Sequence, residues 1–401
     1  MKILHCADIH LGKRPFGTKE FLKKRYEDFF LAFSKVVDIA VDRKIDIVVI
    51  AGDFFDKREI TPDILEKSEN LLKKLSDKSI KVLIIEGNHD NINADDEINS
   101  WQNYLGKKNY VQKGSYKIID GQYIFDCIKI GDVNFYMAGY PSFAVDTVLE
   151  SLGEQLNPNE KNYIIIHTAL DGDGKEFLPG LVKKETLDKL KEKVIYIAGG
   201  HFHNHSTYPA DNPYFFVPGS LEYWDVKRDR GRKKGVIILD SDTLDREFVE
   251  INPRMRMDIT FTCDKNTEEE YLEEFEAFSK GLNLTGEELV IANVIVKGNK
   301  YINTISLEEI LERNGALKAY INLKFEKQNS NKNENEDNVY SIKNLETEII
   351  NDWEQFRNKE KLSEYLQEFK EFQEDKGDRE RDFIDLFDKM LEEEIDSYEN
   401  K

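Results

Sequence analysis

The sequence predicts an α/β fold built as a sandwich of two sheets covered by helices, and three observations carry that reading. In the first 90 residues, short β-branched runs alternate with amphipathic helical stretches: strand-like at 2–6, helical over 21–43, strand-like at 46–51, helical over 62–76 and strand-like at 80–86. Such a βαβαβ rhythm builds a central sheet with helices on its face. Further apolar runs at 163–166, 194–198, 214–217 and 235–240 are the strands of a second half of the same core. A chain of 401 residues is also long enough for a large buried core and more than one domain.

Composition narrows the class. Hydrophobic residues make up 40% and charged residues 34%, the balance of a globular chain with a heavily charged surface. No apolar run approaches the ~20 residues that span a bilayer, and Met1-Lys2-Ile3-Leu4-His5 enters a strand pattern without the features of a secretory leader. No membrane partner is therefore expected. Cys6, Cys127 and Cys263 are odd in number and far apart, so they form neither a disulfide framework nor a CxxC clip, and a reducing cytoplasm is the expected location. The net charge of -21 argues against a protein that coats nucleic acid nonspecifically. Basic residues nevertheless cluster at Lys13–Arg14, Lys23–Arg25, Lys57–Arg58 and Lys227–Lys234. Each cluster reads either as solvated surface or as phosphate contacts beside a site.

Around residue 252 the pattern changes. Residues 267–280 read as an acidic amphipathic helix, 288–297 as a strand, 306–314 as a helix and 319–325 as a strand, enough for a small α/β module. Residues 327–339 are polar and asparagine-rich, the composition of a linker. In the tail, Leu345, Ile349, Trp353 and Phe356, then Leu362, Leu366, Phe369 and Phe372, recur at helical steps, and the pattern resumes after Gly377. Residues 341–401 hold 10 Lys+Arg against 20 Asp+Glu, so these helices are strongly acidic.

The chemistry lies in five motifs at the C-terminal ends of expected strands, the edge where ligands bind in open α/β sheets. They are Asp8-Ile9-His10, Gly52-Asp53, Gly87-Asn88-His89-Asp90, His167 and Gly200-His201-Phe202-His203. Singly, each has an ordinary explanation as a turn, a cap or a core histidine. Together they assemble carboxylate, imidazole and amide donors in more abundance than one octahedral ion needs, whereas two ions ~3.5–4 Å apart would use them all. Asp8, His10, Asp53 and His203 are assigned to one ion and Asp53, Asn88, His167 and His201 to the other, with Asp53 shared. The i, i+2 pairs Asp8/His10 and His201/His203 converge if strand geometry persists through them. His89 then acts on substrate, oriented by Asp90. His5 packs or hydrogen-bonds beside the first strand, and His205 is a support or surface residue. Mixed carboxylate and imidazole donors favour Mn, Fe or Zn over Mg.

These motifs, in this order, resemble the calcineurin-like metallophosphoesterase superfamily, whose pattern is D-x-H, G-D, G-N-H-D/E, H and G-H-x-H. The flanks are similar to SbcD-type DNA repair nucleases, the group that includes the meiotic recombination nuclease, and to their YhaO-like branch. The similarity lies in His5-Cys6-Ala7-Asp8-Ile9-His10-Leu11-Gly12, Ala51-Gly52-Asp53-Phe54-Phe55-Asp56, Pro218-Gly219-Ser220-Leu221-Glu222-Tyr223-Trp224 and Gly235–Asp240. The resemblance implies a four-layered αββα nuclease domain over 1–252, a capping domain over 253–326, a linker at 327–341 and C-terminal helices over 342–401. Those helices would dock on the coiled-coil base of an SMC-like ATPase of the SbcC type. It further implies a homodimer, two Mn2+ ions, and 3′–5′ exonuclease and endonuclease action on DNA. Asp56 stands where some members of the group carry a histidine near the substrate, and the stretch between Gly172 and Gly200 has no family signature. Phosphomonoesterase and cyclic nucleotide phosphodiesterase activity use the same metal motifs, and a non-catalytic scaffold for the ATPase is a third reading.

Overall fold

The structure, a computed structural model, describes residues 1–91, 100–172, 178–229, 233–265, 267–297 and 302–326. The expected linker and C-terminal helices, and Arg230 and Arg232, lie outside the described residues. The chain opens with β1 (Lys2–Cys6), α1 (Lys19–Asp42), β2 (Ile47–Ala51), α2 (Pro62–Asp77), β3 (Lys81–Ile85), α3 (Trp101–Lys107) and β4 (Gln112–Lys113). It continues through β5 (Tyr116–Ile119), β6 (Gln122–Ile130), β7 (Val133–Gly139), α4 (Val145–Gln155), β8 (Lys161–Ile166), β9 (Ala169–Leu170), β10 (Leu181–Val182), α5 (Lys184–Leu190), β11 (Tyr196–Ala198), β12 (Ser206–Tyr208), β13 (Phe215–Val217), β14 (Lys234–Asp240) and β15 (Arg246–Ile251). Last come β16 (Arg256–Cys263), α6 (Glu268–Lys280), β17 (Leu289–Lys297), α7 (Thr304–Arg313) and β18 (Lys318–Glu326).

The strands form two large sheets, ordered β15-β14-β1-β2-β3-β4 and β12-β13-β11-β8-β7-β6-β5. Strand β2, Ile-Val-Val-Ile-Ala, is buried along its whole length, as a strand covered on both faces must be. Its alternate residues enter different cores: Ile47, Val49 and Ala51 face the second sheet, whereas Val48 and Ile50 lie beneath α1 and α2. In β8, Tyr163 and Ile165 enter the inter-sheet core while Ile164 and Ile166 pack under α4 and α5. Helix, sheet, sheet, helix: the four-layered αββα sandwich follows from this period of two. Burying each Ile, Val or Leu contributes roughly 1.5–3 kcal/mol, so the inter-sheet core locks the two sheets together. The Thr18 hydroxyl caps α1 by accepting the Phe21 N–H at 3.2 Å, and Pro62 starts α2, where its missing N–H costs nothing.

Strands β4, β5, β6, β7, β9, β10, β12, β15 and β16 and helices α4 and α5 escape the sequence reading. In β6 the residues are only partly or not at all covered, so its apolar signal is diluted.

Residues 256–326 form a third sheet, β16-β17-β18, parallel throughout. Helices α6 and α7 cover it around a core of Phe261, Phe275, Leu307 and Leu311. Where it meets the sandwich, Phe21, Tyr223, Val226, Leu289 and Leu317 make a small apolar cluster. Beside that cluster runs a buried ionic network. Arg25 Nη1 reaches Asp28 Oδ2 at 2.7 Å and Glu222 Oε1 at 3.1 Å, and Arg25 Nη2 donates to the Tyr223 carbonyl at 2.6 Å. Arg254 pairs with Asp28 and Glu287. Arg25, one of the expected basic surface residues, is thus 1% exposed and structural.

His5 ties the two sheets at the end nearest the motifs. Its Nε2–H donates to the Gly199 carbonyl at 2.9 Å and Nδ1 accepts from the Tyr196 hydroxyl at 2.9 Å, a tautomer that needs a neutral ring. Burial pushes its pKa down to about 3 from 6.5. The unfolded chain therefore takes the proton first. The stability owed to neutral His5 is complete above pH ~6.5 and is lost as pH falls toward about 3, at no more than ~1.4 kcal/mol per pH unit. Urea midpoints measured with chelator from pH 7 to pH 4.5 are expected to fall more steeply for the wild type than for His5→Gln; parallel slopes would remove this account.

Candidate metal centre

Strands β1, β2 and β3 run parallel, as do β7, β8, β11 and β13, and the five motifs leave their C-terminal ends on one rim. The side chains do not converge by strand alternation. Strand β1 ends at Cys6, and Asp8, His10, Asp53 and His201 all adopt left-handed backbone, with φ of 52°, 52°, 51° and 77°. For residues with a Cβ that conformation costs energy and persists only where surrounding structure enforces it. Here the enforcement includes backbone bonds between the first two loops, Ile9 N and His10 N donating to the Asp53 carbonyl at 2.9 and 3.0 Å. Gly52 is required by its φ of 93° and by His167, whose Nδ1 would lie 2.2 Å from any Cβ there; Gly87 is required because a Cβ would fall 2.1 Å from Asp53 Oδ1.

Each carboxylate is anchored by one oxygen and presents the other. Asp53 Oδ1 accepts the His89 N–H at 2.8 Å. Asp53 Oδ2 lies 3.4 Å from His167 Nε2 and 3.8 Å from His10 Nε2. Asp8 Oδ1 accepts the His201 N–H at 3.1 Å, while Asp8 Oδ2 is buried without a hydrogen-bond partner. The imidazoles follow the same logic. His203 Nδ1–H donates to Asp229 at 3.1 Å, so its Nε2 is bare and faces His10 Nε2 at 3.2 Å. His201 Nε2–H donates to the Pro179 carbonyl at 3.1 Å, leaving Nδ1 bare 2.9 Å from Asn88 Oδ1. His167 Nδ1 donates to the Ala51 carbonyl at 2.7 Å and its Nε2 is 3.1 Å from Asn88 Oδ1.

Acceptors this close repel unless a cation lies among them. Two ligands at ~2.1 Å from one ion, a right angle apart, stand ~3 Å from each other, and the pairs above have that spacing. The orphaned Asp8 oxygen and these facing acceptors fit divalent ions. Asp8 with His10 and His203, and Asp8 with Asp53 and His167, each bring donor atoms within 4.8 Å of one another. Asp53 Oδ2 neighbours both histidine groups.

Protonation agrees. Burial lowers His10 well below its ordinary pKa and His201 to about 4, keeping both neutral and able to donate lone pairs. Burial raises Asp8 to about 6. For His167 burial opposes the charge, yet Asp53, Asp8 and the Ala51 carbonyl outweigh it and push the ring up to about 9, which reflects how much negative charge the surrounding groups concentrate there. Asp53 is held far below the usual carboxylate range although burial works against it, because His167, His10 and His89 surround it.

Asp90 does not orient His89. Its carboxylate accepts from Phe54 N, Phe55 N, Gly87 N and the Gln102 amide at 2.8–3.2 Å. A buried carboxylate takes the nearest donors, and here these belong to the two loops it staples. Burial and the charge of Asp53 raise it to about 7. His89 is oriented instead by the Asp56 carbonyl, 3.0 Å from its Nδ1.

Several site residues went unrecognised in the sequence. Asp229 holds His203 and also accepts the Trp224 N–H at 2.7 Å. The Trp224 ring packs 5.4–5.8 Å from His10, His89 and His203, and its Nε1–H donates to Asp56 Oδ1 at 2.7 Å. Lys234, counted among the basic clusters, is buried and donates to Ser220 Oγ at 2.7 Å and the His203 carbonyl at 2.9 Å. Only the presence of Trp224 in a recognisable flank hinted at these roles.

A sandwich with this donor rim is the architecture of a metal-dependent phosphoesterase, and a calcineurin-like phosphoesterase family model matches residues 1–205; the chain belongs to that family. It is similar to the DNA double-strand break repair protein Mre11 of Methanosarcina mazei, 25% identical over 317 residues, 79% of this chain and 49% of that one. The Mre11 of Sulfurisphaera tokodaii is 24% identical over 330 residues, 78% of each chain. That of Archaeoglobus fulgidus is 29% identical over 287 residues, 65% of this chain and 61% of the relative. The chain thus spans about half the length of the first of these relatives.

Removing Asp229 frees His203 to turn and to change tautomer. Asp229→Ala is expected to weaken Mn2+ binding ~10–100-fold for one ion and leave the other nearly unchanged. Calorimetric titration of the chelator-stripped protein reads this, and equal weakening of both would contradict the assignment of His203 to one ion.

Proposed function

We propose that the chain is a metal-dependent DNA nuclease that hydrolyses phosphodiester bonds in double-strand break repair, as a 3′–5′ exonuclease, an endonuclease or both. The observation that carries this is Asp53 Oδ2 between two groups of facing donors, His10 with His203 and His167 with Asn88. Its similarity to DNA double-strand break repair proteins supports DNA as the substrate. Asp8, His10, Asp53 and His203 would hold one divalent ion, and Asp53, Asn88, His167 and His201 the other. Mn2+ is the proposed metal, with Fe or Zn as alternatives. Such a pair supplies Lewis-acid stabilisation of the phosphoryl oxygens and activation of a water.

The chain's own groups do the rest. His89, with its Nδ1–H on the Asp56 carbonyl, presents Nε2 to the leaving sugar oxygen and delivers a proton when the ring is charged. Trp224 and Asp56 hold the His10, His89 and His203 rings in place. In the same reading residues 253–326 are a capping domain after the nuclease domain of 1–252. Residues 342–401 dock on an SMC-like coiled-coil ATPase of the SbcC type, and the protein works as a homodimer in the cytoplasm. Among the described residues no helix is long and apolar enough to cross a membrane.

With Mn2+, the wild type is expected to degrade linear duplex DNA and to hydrolyse bis-p-nitrophenyl phosphate, with little turnover of cyclic nucleotides; the reverse preference would move the reading to a cyclic phosphodiesterase. Asp53→Asn should abolish turnover and lower metal stoichiometry. His89→Gln should retain metal while kcat falls ~10²–10⁴-fold, and a wild-type rate in that variant would refute its role. Copurification with a large coiled-coil ATPase, lost on deleting residues 342–401, tests the partner.

A further inference from the structure

The two nitrogens of His10 stand in different situations. Its Nε2 faces His203 Nε2 at 3.2 Å and Asp53 Oδ2 at 3.8 Å, among the metal donors. A neutral ring that is bare at Nε2 carries its proton on Nδ1. That Nδ1 is buried and has no hydrogen-bond partner. An unpaired buried donor is costly, and a metal-binding histidine ordinarily donates its second N–H to a carboxylate or a carbonyl. His167, His201 and His203 follow that rule, donating to the Ala51 carbonyl, the Pro179 carbonyl and Asp229. His10 is the exception among them.

The carboxylate that faces this nitrogen is Asp56, itself buried, with Oδ1 3.5 Å from His10 Nδ1. The same oxygen accepts the Trp224 Nε1–H at 2.7 Å and lies 3.6 Å from Lys13 Nζ. Lys13 Nζ in turn sits 3.4 Å from the centroid of the Trp224 ring. One oxygen is thus shared among three donors, and the His10 contact is too long for a hydrogen bond. We propose that Asp56 is a positioning residue for His10 and that Lys13 competes with His10 for its charge. A carboxylate behind the ring fixes its direction and raises the basicity of the nitrogen that faces the ion. Lys13, a compact charge on a flexible stem, opposes both effects by holding the same oxygen. The inference rests on the metal-dependent reading above and deepens it, because it names the two opposed charges that set how tightly the His10 ion is held.

The test is calorimetric titration of the chelator-stripped full chain with Mn2+, in the wild type and in two variants. Asp56→Asn keeps an oxygen for the Trp224 N–H and removes the charge. It is expected to weaken one ion ~10–100-fold, the ion that Asp229→Ala also weakens, and to leave the other nearly unchanged. Lys13→Met keeps an unbranched side chain of similar length and removes the competing cation. It is expected to tighten that same ion several-fold. A purely structural role would make both variants weaken the ion, so the opposite signs carry the test. Weakening in both variants, an unchanged affinity in either, or equal weakening of both ions in Asp56→Asn would overturn the proposal. A wild type that binds no Mn2+ would instead end the metal-dependent reading itself.

Discussion

Two carboxylates, Asp8 and Asp53, are buried at the meeting point of the two sheets, 0% and 1% exposed, and the rest of the molecule is arranged around the cost of putting them there. A buried carboxylate without a cation is expensive. Each is stabilised on one oxygen by a backbone N–H, from His201 and His89 respectively. The other oxygen is left for a positive charge, and four histidines and Asn88 stand close enough to share that charge. The left-handed backbone at Asp8, His10, Asp53 and His201 is the conformational consequence. Strained residues of this kind hold only inside a rigid frame, and the inter-sheet core supplies it.

Around the donors runs a set of groups that never face the centre. Asp229 sets the His203 tautomer, the Ala51 and Pro179 carbonyls set those of His167 and His201, and the Asp56 carbonyl sets that of His89. Asp90 joins the loops after β2 and β3 through their N–H groups. Each contact restricts a ring to one orientation before any ion arrives, which lowers the ordering cost on binding. Lys234 extends this support, since it holds the His203 carbonyl and Ser220 together from within the core.

The third sheet connects to the same centre through Glu222, Tyr223 and Trp224. Arg25 and Arg254 both contact Glu222, through Arg25 Nη1 and the Arg254 N–H, so α1 and the start of the third sheet close on the segment that ends in the Trp224 ring. Removing one member of such a buried network strands the others, at a cost of roughly 3–5 kcal/mol. The position of Trp224, and with it the cover over His10, His89 and His203, therefore depends on how residues 253–326 pack.

Much of this was legible beforehand. The βαβαβ rhythm, the strand ends and the metal-ligand types were set by local composition: Ile-Val-Val-Ile-Ala can only be a buried strand, and Gly-Asn-His-Asp after a strand is a turn dense in donors. Strands with half-exposed faces, such as β6, were not legible, because their apolar period is interrupted by Lys, Asp and Gln. Nor was the direction of any side chain at the centre. Asp8 and His10 were expected to converge by strand alternation, and Asp90 to serve His89. Asp8 and His10 do meet, together with His203, but through left-handed turns and not strand alternation, and the Asp90 carboxylate is taken by the nearest buried donors. Arg25 and Lys234 read as surface cations for the same reason. The sequence alone thus determined which atoms are available to a metal and on which edge they emerge. Which oxygen faces inward, which nitrogen is bare and which arginine is buried were decided only when segments from 22 to 198 residues apart competed for the same few hydrogen bonds.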